Sequence, residues 1–205
     1  MCEVPRIDAI PAGLLLTGGA SRRLGQDKAT LELGGERLVD RAARLLRAAT
    51  RPAIEIGPGW SGLAWTREDP PGTGPLAAVA AGALLLRRGG HRGPALVLAV
   101  DMPLVTGTLL ALLARHPGSG CVVPVDEAGF PQPLCARYSP AALAAAPGLS
   151  AAAFSSPMAL LERTDVTWLA PAVWQPEAGS PDVFADIDTE DDLARMRSSV
   201  DGIRR

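Results

Sequence analysis

Short apolar segments alternate along the chain with longer segments in which apolar residues recur at helical spacing. Ala12–Thr17, Ala53–Ile56 and Ala95–Val100 are predicted strands, and the last of these is apolar throughout, as is typical of a strand buried on both faces of a sheet. Residues 36–50 are predicted to form an amphipathic helix, and the Ala- and Leu-rich residues 76–86 a second helix. This alternation of strand and helix predicts a mainly parallel α/β sheet.

The second half of the chain predicts a local antiparallel element. Val122–Val125 and Pro133–Arg137 flank the turn residues 126–129, as in a hairpin. Thr189 and the acids after it suit the first turn of a closing helix that runs through Arg197. The other predicted elements are a strand at 63–66, a helix at 108–115, helical pieces within 139–163 and a strand at 166–169.

The composition fits one globular domain. The chain has 205 residues, of which 47% are hydrophobic and 20% charged, and no repeat or linker divides it. We predict a single domain over residues 1–205, with flexible ends at 1–10 and 200–205. The formal net charge of −2 gives no electrostatic basis for binding nucleic acid or a membrane surface.

The cysteine pattern bears on the cellular compartment. Cys2, Cys121 and Cys135 form no CxxC pair, which favours reduced thiols over a disulfide framework or a zinc site. No signal peptide and no apolar stretch long enough to span a bilayer is visible in the sequence. We therefore expect a soluble cytoplasmic protein.

A glycine-rich loop follows the first predicted strand, with the sequence Leu16-Thr-Gly-Gly-Ala-Ser-Arg-Arg-Leu-Gly-Gln-Asp-Lys28. The main-chain N–H groups at Gly18 and Gly19 can close on phosphate oxygens because no Cβ stands in the way. Lys28 is the only lysine in the chain, and its compact ammonium suits a phosphate contact. The alternative interpretation is an ordinary glycine turn with solvated basic residues.

Acidic residues follow other predicted strands and loops. Asp101 comes directly after strand 95–100, where a carboxylate opposite a phosphate loop is a natural Mg²⁺ ligand, although it could instead cap the next helix. Asp69 precedes a second Gly/Pro loop and either contacts substrate or only begins the turn. Asp186 and Asp188 share a face in an extended chain, and could ligate a metal or accept hydrogen bonds from a ligand.

Three familiar motifs are rejected. The loop lacks the Gly-Lys-Ser/Thr ending of a Walker A motif, which argues against a GTPase. Residues 57–62 match G-x-G-x-x-G, but Pro58 interrupts the match and a strand-like segment follows where a dinucleotide site needs a helix. Neither His91 nor His116 has a convincing nucleophile partner for a Ser/His/Asp triad.

Residues 14–28 closely resemble the signature loop of the MobA-type molybdenum cofactor guanylyltransferases. Residues 74–77, 101–103 and 186–189 follow in that family's order and spacing, so the resemblance covers nearly the whole chain. It implies a single-domain, Rossmann-like nucleotidyltransferase fold of the α/β class, in which helices flank a mainly parallel twisted sheet with a local antiparallel element.

The resemblance also implies roles for individual residues. Nucleotide contacts would come from Leu16, Thr17, Gly18, Gly19, Lys28, Asp69 and Asp101. The catalytic residues would be Arg23, Lys28 and Asp101, with Asp101 also holding Mg²⁺, while Asp186 and Asp188 would be candidates for binding substrate. The chain departs from the family where Gly57 replaces a common Asn, and where Asp replaces both Asn residues of the closing motif.

The implied reaction transfers GMP from GTP to the terminal phosphate of molybdenum-molybdopterin, and gives molybdopterin guanine dinucleotide and pyrophosphate. The expected partners are GTP and molybdopterin, with transient contacts to molybdenum-insertion and molybdoenzyme assembly proteins, and with neither nucleic acid nor membrane. Three alternatives stay open: a CTP-dependent molybdopterin cytidylyltransferase, a sugar-phosphate nucleotidyltransferase, and a non-catalytic GTP-binding assembly partner.

Overall fold

A computed structural model describes residues 10–18 and 27–203, with side chains as far as Arg197. The described strands are β1 (Ala12–Leu16), β2 (Glu32–Leu33), β3 (Glu36–Arg37), β4 (Ala53–Ile56), β5 (Ala64–Thr66), β6 (Ala95–Ala99), β7 (Cys121–Pro124), β8 (Cys135–Tyr138) and β9 (Val166–Leu169). Seven of them form one sheet in the order β5-β4-β1-β6-β8-β7-β9. Neighbours in this sheet are parallel except at β8, which runs antiparallel to both β6 and β7.

Helices cover both faces of the sheet. The described α-helices are α1 (Leu38–Ala49), α2 (Pro75–Arg88), α3 (Gly107–Arg115), α4 (Pro140–Ala151), α5 (Met158–Leu161), α6 (Pro171–Ala178) and α7 (Glu190–Ile203). Because side chains alternate along β1, Leu15 packs in the core with α1, α3, α6 and α7, while Leu14 and Leu16 pack in the core with α2, α4 and α5. The predicted α/β fold, with helices on both sides of a mainly parallel sheet, is confirmed.

The structure confirms the antiparallel element and moves some predicted boundaries. Val122 of β7 pairs with Arg137 of β8 in antiparallel register. The helix predicted from residue 36 begins at Leu38, because the two residues before it pair with β2 in a small hairpin. Helix α6 was missed, since Pro171 and Pro176 interrupt the apolar periodicity even though proline suits the first turn of a helix.

The structure also bears on the predictions about thiols and membranes. Cys121 and Cys135 have free thiols, in line with the sequence, and both are buried, whereas Cys2 lies outside the described residues. Across residues 10–18 and 27–203, none of the helices is both long and apolar enough to cross a bilayer.

Strands β1 and β6 end together at one edge of the sheet. Leu16 is in register with Ala99, and the Val100 N–H donates a hydrogen bond of 3.0 Å to the Leu16 carbonyl oxygen. The segments that follow the two strands therefore emerge side by side. Open α/β sheets bind their ligands at this carboxyl edge.

Candidate active site

A cavity of about 500 Å³ opens at the carboxyl ends of β1 and β6. Its walls include residues 16–18 after β1, residues 99–101 after β6, and Lys28. The segment 68–78, which leads from β5 into α2, contributes most of the remaining wall. The volume lies in the range of small-molecule sites.

Lys28 connects segments that are far apart in the sequence. Its Nζ lies 3.0 Å from Asp101 Oδ2 and 2.5 Å from Asp188 Oδ1, and its side chain is 18% exposed. A single 3₁₀ turn, Lys28–Thr30, positions the lysine. The Asp27 carboxylate caps this turn by accepting a hydrogen bond from the Ala29 N–H, and the Ala29 side chain is buried.

Asp188 reaches Lys28 because the segment before α7 is attached to the end of β6. The Ile187 N–H donates a hydrogen bond of 3.1 Å to the Asp101 carbonyl oxygen, and the Ile187 side chain is fully buried. Thr189 and Asp192 then form a reciprocal cap, in which each main-chain N–H donates to the other's side chain. The predicted helix cap at Thr189 is confirmed, and it fixes Asp188 beside the cavity.

The charges in this cluster shift two pKa values. Burial alone would lower the pKa of Lys28, but hydrogen bonds and negative charge from Asp188 and Asp101 outweigh it and hold that pKa above its ordinary value. Burial raises the pKa of Asp186, and the negative charges of Asp188 and Asp101 raise it further. The cluster therefore keeps Lys28 cationic and concentrates carboxylates around it.

The alternative role for Asp101, capping the next helix, is wrong. Helix α3 begins only at Gly107, and Thr106 is its N-cap residue. The Thr106 hydroxyl accepts the hydrogen bond from the Leu109 N–H that a cap provides. The Asp101 carboxylate instead faces Lys28 at the wall of the cavity.

The rejected G-x-G-x-x-G segment folds around a carboxylate from its own strand. Glu55 of β4 is fully buried, and its carboxylate accepts hydrogen bonds from the N–H groups of Gly59, Trp60 and Ser61. Its Oε1 also accepts a hydrogen bond of 2.7 Å from the Thr17 hydroxyl. The amides that would bind a dinucleotide pyrophosphate are thus occupied, which supports the rejection of this motif.

Asp69 and its neighbour Glu68 lie in different surroundings. Asp69 lines a separate, larger cavity of about 690 Å³, between the segment after β5, helix α2 and the end of α4. Glu68 lines both cavities, and its carboxylate lies beside Gly18. Glu68 was not predicted from the sequence, although a second acid directly before Asp69 was an available signal.

The described residues thus bring most of the predicted site together. Leu16, Thr17, Gly18, Lys28 and Asp101 line one cavity, and Asp188 joins them through its contact with Lys28. Gly19 and Arg23 lie outside the described residues.

Asp101 and Asp188 are the residues of this site best placed to hold a divalent cation. Their carboxylates already converge on one positive charge, the Lys28 ammonium. In the part of the chain that the structure describes, no three His, Cys, Asp or Glu side chains are grouped so that they could hold a metal ion. The donor set fits Mg²⁺, which is commonly held by one or two carboxylates together with substrate phosphate oxygens and water.

Comparisons of the sequence with known proteins identify a family. A family model described as "MobA-like NTP transferase domain" matches residues 13–167. A protein of Chloroflexus aggregans described as "Probable molybdenum cofactor guanylyltransferase" is 31% identical over 200 residues. That alignment covers 91% of this chain and 93% of the relative.

Solved structures share the fold. The molybdopterin-guanine dinucleotide biosynthesis protein A from Archaeoglobus fulgidus has a TM-score of 0.78 at 22% identity, over 93% of this chain and 99% of that one. A Mycobacterium tuberculosis protein solved in complex with manganese has a TM-score of 0.63 at 16% identity, over 93% of this chain and 100% of that one. Since the family model spans most of the chain and the Chloroflexus relative matches over nearly its whole length, this chain belongs to the MobA-like NTP transferase family and is a nucleotidyltransferase.

Proposed function

We propose that this enzyme transfers GMP from GTP to the terminal phosphate of molybdenum-molybdopterin, giving molybdopterin guanine dinucleotide and pyrophosphate. The observation that carries the proposal is the position of Lys28, held between Asp101 and Asp188 on the wall of a cavity at the carboxyl ends of β1 and β6. The names of the Chloroflexus and Archaeoglobus relatives support guanylyl transfer over cytidylyl transfer.

The reaction forms one P–O bond and breaks another. An oxygen of the molybdopterin phosphate attacks the α-phosphorus of GTP, the bond from that phosphorus to the bridging oxygen breaks, and pyrophosphate leaves. The nucleophile is already an anion at neutral pH, so the step requires no general base. The protein has to position two phosphates and neutralise their charge.

Lys28 and Asp101 carry that task in the described part of the site. The Lys28 ammonium is a point charge with three donors that can turn towards phosphate oxygens. Asp101 would hold Mg²⁺, with Asp188 as the second carboxylate nearby, and the bound ion would supply positive charge beside the transferred phosphate and the pyrophosphate. Arg23, and the main-chain amides of Gly18 and Gly19, are proposed to contact the phosphates as well.

The remaining predictions concern Asp69, the second substrate, the cellular location and protein partners. The predicted contact of Asp69 with the nucleotide is not supported by its position, because Asp69 lines the cavity of about 690 Å³ and not the one that contains Lys28. Asp186 and Asp188 are proposed to contact the second substrate. A cytoplasmic location is supported by the free thiols of Cys121 and Cys135, which fit a reducing compartment. Transient contacts with molybdenum-insertion and molybdoenzyme assembly proteins stay a prediction.

Pyrophosphate release across the four nucleoside triphosphates, with and without molybdenum-molybdopterin, tests the proposal. We expect release only when GTP, Mg²⁺ and molybdopterin are all present. Asp101→Asn should abolish this turnover without unfolding the chain, whereas Asp40→Asn, at a half-buried aspartate of α1 that pairs with Arg37, should retain it.

The same assay separates the alternatives. Release with CTP, or with a sugar phosphate as acceptor, would assign the chain to a neighbouring class of transferase. Release of inorganic phosphate instead of pyrophosphate would indicate a GTPase. Binding of GTP without any turnover would indicate a non-catalytic assembly partner.

A further inference from the structure

Glu68 is a buried acid that the proposed chemistry does not use. It is 8% exposed, and its Oε1 accepts a hydrogen bond of 3.0 Å from the Gly72 N–H. Its Oε2 is also buried, and no group within residues 10–18 and 27–203 donates a hydrogen bond to it. Leaving a buried carboxylate oxygen without a donor costs free energy, so a ligand that supplies a donor gains by binding there.

Glu68 belongs to the wall of the cavity that also contains Lys28, and it lines the larger cavity as well. Its two carboxylate oxygens lie 3.6 and 3.8 Å from where a Cβ on Gly18 would stand. Beside it, the wall of the cavity that contains Lys28 consists of Gly72, Gly74, Pro75 and Ala78, which offer apolar and main-chain surface. Such apolar and main-chain surface can accommodate a flat heterocycle.

The two sides of the cavity offer a ligand different groups. Lys28 contacts Asp101, which follows β6. Glu68 follows β5, and β5 and β6 lie on opposite sides of β1 in the sheet. A carboxylate without a bound cation repels phosphate oxygens, whereas the Lys28 ammonium, together with a divalent cation held by Asp101, would attract them. A nucleoside triphosphate in this cavity is thus oriented with its phosphates towards Lys28 and its base towards Glu68.

The donor pattern of the bases decides which of them a carboxylate selects. Guanine carries two adjacent donors, N1–H and N2–H₂, on its Watson–Crick edge. Adenine and cytosine place a ring nitrogen acceptor beside their amino group, and uracil flanks its N3–H with two carbonyl oxygens. A carboxylate accepts hydrogen bonds and cannot donate them, so it meets repulsion from each of these three edges.

We propose that Glu68 Oε2 accepts hydrogen bonds from N1–H and N2–H₂ of guanine, and so selects GTP over the other nucleoside triphosphates. This inference rests on the proposed function, because it needs a nucleotide in the cavity. It deepens that function by assigning the base selectivity to one side chain.

Glu68→Gln tests the assignment with almost no change of shape. The Gly72 N–H requires an acceptor, so the glutamine carbonyl oxygen takes the place of Oε1 and the amide NH₂ faces the cavity. A donor then opposes the N1–H and N2–H₂ of guanine. The variant therefore replaces the acceptor that would bind guanine with a donor.

The experiment compares GTP with ITP, which lacks the N2 amino group, on the full chain. We would measure their Kd by calorimetry and their kcat/KM by pyrophosphate release. The wild type should bind GTP about 10- to 100-fold more tightly than ITP, as expected for one hydrogen bond to a charged acceptor. In Glu68→Gln the preference for GTP over ITP should fall to within about threefold. The KM for GTP should rise, and kcat should change little.

Two control variants make the result specific. Glu162→Gln, at an exposed acid whose side chain is 65% accessible, should leave the GTP/ITP ratio unchanged. Lys28→Met should weaken both nucleotides and preserve their ratio, because it acts on the phosphates that the two share. Thermal unfolding of Glu68→Gln checks its fold, and the wild-type comparison of GTP with ITP needs no variant.

The outcomes separate the inference from the proposed function. Equal affinity of the wild type for GTP and ITP, or a preference that Glu68→Gln leaves intact, overturns the role of Glu68 while GTP-dependent transfer stands. Failure of the wild type to release pyrophosphate from GTP overturns the proposed function, and the binding ratio still decides whether Glu68 recognises guanine.

Discussion

The Thr17 hydroxyl donates a buried hydrogen bond of 2.7 Å to Glu55 Oε1. Thr17 lines the cavity directly after β1, whereas Glu55 belongs to β4 and binds the N–H groups of residues 59–61. One carboxylate thus joins the start of the glycine-rich loop to the loop that follows the neighbouring strand. The shape of the cavity at Thr17 therefore depends on a residue outside its wall.

Glu55→Gln should lower the free energy of unfolding by about 1.5–3 kcal/mol, the range for hydrogen bonds to a charged group. Glutamine has one acceptor oxygen, so if it serves the donors on Oε1, its NH₂ opposes the Ser61 N–H. Urea unfolding at pH 7 measures the change. Glu32→Gln, at an exposed position of β2, should shift stability by less than about 0.5 kcal/mol, and equal stability of the two variants would show that the network contributes nothing.

The stabilisation by Glu55 should also depend on pH. Burial alone would raise the pKa of Glu55, but hydrogen bonds from Ser61, Thr17 and Trp60 outweigh it and hold that pKa below its ordinary value. A carboxyl group whose pKa is lower in the folded chain stabilises the fold above its unfolded pKa, at about 4.3, and loses this contribution as the pH falls through the folded value.

The difference in unfolding free energy between wild type and Glu55→Gln should therefore be constant from about pH 7 to 5 and shrink below about pH 4. Other carboxyl groups titrate in the same range, and taking the difference between the two proteins removes their common part. A gap that widens on acidification would mean that the pKa of Glu55 is raised instead of lowered.

A steric constraint explains why position 57 is Gly in this chain, where the family often has Asn. A Cβ on Gly57 would stand 2.0 Å from Thr17 Oγ1, and the residue has a φ of +156°. The Thr17 hydroxyl thus occupies the space that a side chain at position 57 would need. This departure from the family pattern is coupled to the contact between Thr17 and Glu55.

Gly57→Ala should destabilise the fold by about 1–3 kcal/mol, the usual cost of forcing an extra carbon into a packed site. In a Thr17→Ala background the same substitution should cost at least about 0.5 kcal/mol less, because the clashing oxygen is gone. A double-mutant cycle by urea unfolding measures this coupling. Strict additivity would mean that the backbone conformation of Gly57, and not Thr17, excludes the side chain.

The sequence was enough to predict that the loop containing Lys28 and the segment at Asp101 lie at the same edge of the sheet. A buried strand precedes the loop that contains Lys28, another directly precedes Asp101, and parallel neighbouring strands end at the same edge of a sheet. Asp186 and Asp188 could be placed on one face of an extended segment, but the sequence did not show that Asp188 contacts Lys28. Asp188 lies 160 residues from Lys28, and their contact depends on how the last helix is attached to β6.

Glu55 and Glu68 show why the remaining polar contacts around the cavity could not be predicted from the sequence. Each precedes a loop rich in Gly. Glu55 accepts hydrogen bonds from three N–H groups of its loop, and Glu68 accepts one from the Gly72 N–H. Both carboxylate oxygens of Glu55 accept hydrogen bonds from described residues, whereas Oε2 of Glu68 accepts none among them. This difference arises from the conformation of the two loops, which the hydrophobic pattern of the sequence does not predict.

Lys28→Met should change metal binding and turnover in opposite directions. Methionine keeps an unbranched side chain but removes the positive charge between Asp101 and Asp188. The two carboxylates then lack their cation, so Mn²⁺ should bind on the order of tenfold more tightly in the absence of nucleotide. Turnover should fall by about 10²–10³ in kcat, as when one preorganised donor is lost from a transition state.

A Mn²⁺ titration followed by electron paramagnetic resonance, together with pyrophosphate release, measures both effects. Asp188→Asn is the matched control, because it removes a carboxylate instead of the ammonium and should weaken Mn²⁺ binding. Weaker Mn²⁺ binding by Lys28→Met than by wild type would mean that the ammonium does not compete for the carboxylates, and an unchanged kcat would remove Lys28 from the chemistry. Because unfolding would lower both readouts, tighter metal binding with slower turnover can only come from a folded site that has lost its charge at position 28.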